Sequence, residues 1–255
     1  MSLFVLGAAF AAGPVDPSWI KKHVPSVQAV QGYKPLFEKE RVLRSVTRYG
    51  ELVGSLAETA FADEERIYVV LAGKGEVIYE GKKRTLREGD YFYCAPGSRH
   101  GLTGTDWRVV LMGFRAKRDE IPAELPVANL DEVKKQVVGN HPPTTLYQLM
   151  LGDKKSTRDR LAVGQTVTSL YIMEFAPGGT NAPHHHEDEE EIYYLLDGKG
   201  EMVAGSGMDG VMGKYAAQPG DAYFFRKNCT VGFYGDPTPG SKSHILAVRS
   251  RLQRP

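Results

Sequence analysis

GGTNAPHHHEDEEEIYYLLDG, residues Gly178–Gly198, is the stretch whose spacing decides how this chain is read. It runs Gly178, five residues, His184-x-His186, four residues, Glu191, six residues, Gly198. Side chains alternate along a strand, so His184 and His186 share one face and His185 takes the other. Glu191 opens the apolar run IYYLL and can return a carboxylate to the same pocket. Two neutral imidazoles and one carboxylate suit a divalent first-row metal with open coordination positions. The competing reading is a solvated polar loop that ends in an acidic run.

The spacing from Gly178 to Gly198 resembles the first motif of the cupin superfamily, and all five positions match. That resemblance implies an all-β fold, the double-stranded β-helix or jelly roll. The second cupin motif is Gly, five residues, Pro-x-Gly, two residues, His. Its counterpart starts at Gly220-Asp221 and carries Arg226, Asn228 and Val231 at the Pro, Gly and His positions. The usual fourth ligand is therefore absent. The remaining set, His184, His186 and Glu191, is either an open catalytic site or a weakened one, with His185 and His244 as candidate substitutes.

The chain repeats itself. IYVVLAGKGEV at 67–77 mirrors IYYLLDGKGEM at 192–202, and EGDYFYCAPGSRHG at 88–101 mirrors PGDAYFFRKNCTVG at 219–232. The second copy carries six extra residues in AGSGMDGVMGK, residues 204–214. Two copies of one barrel pattern resemble a bicupin, two tandem cupin barrels. In the first copy Thr59 and Phe61 replace the two His and Arg66 replaces the Glu, while Pro96, Gly97 and His100 remain. We expect this barrel to be metal-free and structural. The sharper alternative is an anion pocket at Arg66 and His100. A buried guanidinium needs a partner, and Asp63, Glu64 or Glu65 can supply one locally.

The organisation follows: an arm over 1–34, a degenerate cupin over 35–115, a linker over 116–144 and a metal-binding cupin over 145–250. The linker pattern LDEVKKQVV, Leu130–Val138, predicts a short helix stopped by Gly139. RIYVVL and EIYYLL are apolar on both faces, as in a barrel wall covered outside by the partner barrel or by another subunit. Cys94 and Cys229 fall in separate repeats and are expected as free thiols. A net charge of +1 without a basic stripe argues against nucleic acid or an anionic membrane as a partner. The apolar run LFVLGAAFAAG, 3–13, is too short to span a bilayer. It reads as a signal-peptide remnant or as an extra N-terminal strand, a balance that slightly favours the cytoplasm over export.

Within the superfamily the pattern resembles bicupins such as ureidoglycine aminohydrolase, on the runs YFYCAPGS (91–98) and FAPGGT (175–180). The resemblance implies a metal-free first barrel, a manganese ion in the second and a homo-oligomer. The ligand set differs: that family uses Glu-x-His, a His and a Gln, where this chain has His184, His186, Glu191 and then Val231. The cofactor expected is one divalent ion, manganese first and iron, nickel or zinc as alternatives. The enzyme reading is Lewis-acid activation of a small carboxylate, ureide or sugar-like substrate by an aminohydrolase, decarboxylase, dioxygenase or isomerase. Tyr193, two residues beyond Glu191 on the same face, and Arg226 are its candidate catalytic groups. The alternative is a non-catalytic metal- or ligand-binding bicupin of storage or sensor type.

Overall fold

In a computed structural model of the chain, residues 17–24, 31–205 and 212–252 are described. The 3–13 run and part of the 204–214 insertion lie outside them. The strands form two barrels, each made of a large and a small sheet. In the first barrel the large sheet runs in the order Val127–Asn129, Asp90–Cys94, Glu64–Ala72, Arg108–Arg115, Val46–Val53, Gly32–Phe37. Its small sheet runs Leu56–Ala60, Arg99–Thr103, Lys74–Tyr79, Lys82–Arg87. In the second barrel the large sheet runs Trp19–His23, Asp221–Phe225, Glu189–Asp197, Ser243–Arg251, Val167–Phe175, Thr145–Asp153, Lys135–Gln136, with Leu161–Gly164 parallel to Thr145–Asp153. The small sheet is Met212–Ala217, Gly200–Gly205, Val231–Gly235.

The pairing registers repeat between the barrels. Arg66 lies opposite Cys94 as Glu191 lies opposite Phe225. Thr59 pairs with His100 as His184 bridges Val231. The motif positions therefore correspond one to one, with offsets of 125 and 131 residues read from the numbering.

Period-two alternation explains the walls that are apolar on both faces. On Glu64–Ala72, Tyr68 and Val70 fill the first barrel, while Ile67 and Val69 face out. On Glu189–Asp197, Tyr193 and Leu195 fill the second, while Ile192 and Tyr194 face out. The outward sets meet in one cluster shared by both barrels, with Met112, Phe224, Ile172 and Leu246. Two buried carboxylates latch this interface. Glu65 accepts from the amides of Gln165, Thr166 and Val167 across the interface and from the Tyr93 hydroxyl. Glu190, its counterpart, accepts from the amides of Arg44 and Ser45 and from the Ser45 hydroxyl. A carboxylate can be buried at this cost only because backbone N–H groups take its lone pairs.

Strands are also exchanged. Trp19–His23, which precedes the first barrel, pairs with Asp221–Phe225 of the second. Val127–Asn129, which precedes the second, pairs with Asp90–Cys94 of the first. The shared Gly-Asp steps hold both in the same way: Val24 donates to the Gly220 carbonyl at 2.9 Å and Leu130 to the Gly89 carbonyl at 2.9 Å.

The helix expected over Leu130–Val138 does not form. Asn129 accepts from the Asp131 amide and caps a single 3-10 turn, Leu130–Glu132, after which Lys135 and Gln136 pair with Gln148 and Tyr147. An isolated helix this short is marginal, and a sheet edge offers the same backbone groups better partners. Both cysteines are free and buried. Among the described residues no helix is long and apolar enough to cross a membrane.

Candidate metal centre

His184 sits on an irregular segment that is pinned to the second-motif strand. It exchanges both backbone hydrogen bonds with Val231, at 2.9 and 2.8 Å. Cross-strand partners share a face, so the Val231 side chain lies beside His184 and inside the barrel, where it joins the apolar core. His186 is held by its carbonyl, which accepts from the Asn228 amide at 2.7 Å. Asn228 stands at the glycine position of the motif and adopts φ +63°, matching Gly97 at +88° in the first barrel. Asn tolerates this left-handed conformation better than other side chains do, so the turn survives the loss of glycine.

The ligand atoms of His184, His186 and Glu191 all lie within 4.8 Å of one another. Two of the three are oriented from behind by hydrogen bonds. His184 Nδ1 bonds the Ala182 carbonyl at 2.9 Å, which leaves Nε2 facing the cluster. Ala182 itself takes φ +54°, a costly conformation for alanine that places this carbonyl under the ring. Glu191 Oε1 accepts from the Tyr171 hydroxyl at 2.6 Å. Its other oxygen, Oε2, faces His186 Nε2 at 3.4 Å, and both atoms are buried without a hydrogen-bond partner. Buried polar atoms left unsatisfied need an explanation. Two imidazole nitrogens and a carboxylate oxygen converging on one point fit a divalent ion. Burial, with His186 and His141 nearby, pushes the His184 pKa down, which keeps the imidazole neutral and able to ligate. Burial would raise that of Glu191, but the His186 contact and the charges of His186, Arg249 and His184 bring it down to about 2.

A cavity of about 180 Å³ opens on this cluster, walled by His141, Tyr147, Arg158, Tyr171, Tyr193 and Arg249 among others. Tyr193 is fully buried, and its hydroxyl accepts from Asn181 Nδ2 at 2.9 Å. Burial and the Glu191 charge raise its pKa, so the phenol keeps its proton. Arg226 is not on this wall: its amide bonds the Ser18 carbonyl, and its charge acts on the Cys229 thiol. Neither candidate substitute reaches the cluster. His185 is exposed, and His244 bonds Asp197 and Glu174 at 2.8 and 3.0 Å on the outer face.

Four contributors were not anticipated: His141, Tyr171, Asn181 and Arg249. His141 Nδ1 bonds the Asn181 carbonyl at 2.6 Å, and its ring packs edge-on against His184, 5.3 Å between centroids. Arg249 had a usable signal, since in SHILAVRSR the core residues Ile245 and Ala247 share its alternation. His141 sits in a proline-rich linker without periodicity and had none.

The equivalent point of the first barrel is filled. Arg66, 1% exposed, is paired with Glu64 and lies 3.2 Å over the Phe61 ring. Arg66 Nη1 also reaches the Tyr68 hydroxyl, which bonds His100 Nε2 at 2.8 Å. Glu64 is thus the local partner and Phe61 stacks on the guanidinium face, while Arg66 Nη2 is buried without a hydrogen-bond partner.

The family model for the cupin domain matches residues 59–112 and 171–234, one stretch in each barrel. The chain belongs to the cupin superfamily and has the bicupin architecture. A curated protein of Aquifex aeolicus, described as uncharacterized, is 36% identical over 53 residues. The match covers 21% of this chain and less than half, 44%, of that protein. The crystal structure of Ylba from E. coli is 17% identical, with a TM-score of 0.66 over 97% of this chain and 96% of that one. Oxalate decarboxylase of Lactobacillus farciminis, solved with formate, is 14% identical, with a TM-score of 0.66 over 95% and 88%. At these identities the likeness is one of fold, and a fold does not choose a reaction.

Proposed function

We propose that the second barrel is the active site of a metal-dependent enzyme acting on a small polar substrate. The observation that carries this is the pair of buried atoms His186 Nε2 and Glu191 Oε2, which face each other at 3.4 Å beside His184 with no hydrogen bond made by either. His184, His186 and Glu191 would hold one divalent ion, manganese by family resemblance. When bound it supplies Lewis-acid polarisation and charge stabilisation. Three protein ligands leave positions open for substrate or water. Tyr171 and the Ala182 carbonyl fix the ligands' orientation. Tyr193, anchored by Asn181, holds a phenolic proton for donation into the cavity. Val138 and Leu149 give the same cavity apolar wall. Arg226 as a catalytic group has no support from the cavity lining.

One observation favours the non-catalytic reading, a storage or sensor bicupin: an inert Val231 occupies the fourth ligand's position. Elemental analysis of protein purified without a chelating column tests the proposal. One ion per chain, lost in His186→Ala, is expected. Wild-type protein with no ion, or a variant with undiminished content, would reject it.

A further inference from the structure

We propose that the cavity of the second barrel is a carboxylate site in which Arg249 and Arg158 bind a small monocarboxylate. The inference rests on the metal-site reading, because the carboxylates around the cavity outnumber the two guanidinium charges until a divalent ion is bound.

One rung of the barrel wall carries the arrangement. Gly152 pairs with Ser169, Ser169 with Arg249, Arg249 with Glu191, and Glu191 with Phe225. Directly paired residues share a face, so Ser169 and Arg249 point inward with the ligand Glu191. Gly152 leaves the inner face open, and the 153–160 loop fills it: an added Cβ would strike Asp159. That loop brings Arg158 to Ser169, where Arg158 Nη2 donates to the Ser169 hydroxyl at 3.3 Å. Both guanidinium groups thus reach one cavity wall from different directions, beside Tyr147 and His141.

The donors exceed their acceptors. Arg249 Nη1 meets Glu189 at 3.4 Å, but its Nε is buried and without a partner. Arg158 meets Asp159 at 3.4 Å through Nε and remains half-exposed. Glu189 and Asp159 offset the two guanidinium charges, and Glu191 offsets half the charge of a divalent ion. The loaded cavity therefore holds one uncompensated positive charge, which a single carboxylate neutralises. A guanidinium presents its N–H groups as a planar fork that matches a carboxylate. The volume, about 180 Å³, suits a ligand of a few heavy atoms.

The test uses the full-length protein and matched pairs of the same shape and different charge: lactate with lactamide, and glycolate with glycolamide. Calorimetric titration is run on manganese-loaded and metal-free protein, with metal content measured in parallel. At least one acid is expected to bind about tenfold or more tighter than its amide. Arg249→Gln should abolish this preference, and Arg158→Gln should reduce it, with metal content unchanged in both. Arg158→Gln serves alone if Arg249→Gln does not fold. Binding in which no acid outcompetes its amide overturns the proposal, as does a preference retained in the folded variants. Protein that holds no metal but still prefers the acids rejects the metal reading and leaves the carboxylate site in place.

Discussion

His100 is a sealed imidazole in the first barrel, and acidification should find it. It is 1% exposed; Nδ1 donates to the Ser98 carbonyl and Nε2 accepts from the Tyr68 hydroxyl. Burial, with Arg66 adding to it, lowers the pKa from 6.5 to about 4. Because the folded pKa lies below the unfolded one, the unfolded chain binds the extra proton between these values. The stabilisation is complete above pH 6.5 and is lost as pH falls towards 4. A shift of about 2.5 units corresponds to about 3 kcal/mol, of which about 2.5 kcal/mol is lost by pH 4.5. The assay is urea unfolding at pH 7.5 and 4.5, followed by fluorescence in a Trp19→Phe background. Trp107, packed in the first barrel, is then the sole tryptophan reporter. His100→Gln should be less stable than the parent at pH 7.5, since it breaks a buried network. It should also lose about 2.5 kcal/mol less on acidification, because groups common to both proteins cancel. Equal losses in the two proteins would refute the reasoning.

Three further outcomes follow from the geometry. Val231→His should raise metal occupancy at limiting metal, since residue 231 lies beside His184; unchanged occupancy would place it away from the ion. Should the substitution instead restore metal to a protein that otherwise holds none, the site is decayed and the non-catalytic reading stands. Tyr171→Phe removes the hydrogen bond behind Glu191 and should weaken metal affinity by about 10–100-fold in a competition titration, with little change in unfolding midpoint. Glu190→Ala strands the buried amide and hydroxyl of Ser45 and frees the Arg44 amide, and should cost about 3 kcal/mol in denaturant unfolding, and Glu65→Ala a similar amount on the opposite side of the interface.

Local pattern alone determined the repeat and the all-β class, and it singled out His184, His186 and Glu191, which the fold brings together. These rest on alternation and fixed spacing, which a strand carries within its own few residues. The GKGE turns and Gly-Asp steps placed Thr59 against His184 and Arg66 against Glu191 without coordinates, and the pairing registers agree. Loss of the fourth ligand at Val231 was legible for the same reason. What tertiary structure decided is which distant residues meet. Glu65 and Glu190 sit in strand patterns as ordinary acids, and only the packing of two barrels supplies the amides that let them be buried. The exchange of Trp19–His23 and Val127–Asn129 depends on sheet order, which no run of residues encodes by itself. The edge pairing that replaced the expected helix at Leu130–Val138 came from the next strand, Thr145–Asp153, whose place in the sheet the helical pattern does not encode. His141, Arg158 and Arg249 reach one cavity from a linker, a loop and a terminal strand. Their convergence is set by register and closure of the barrel, and a side chain's alternation specifies its face of the sheet but not what stands across the lumen.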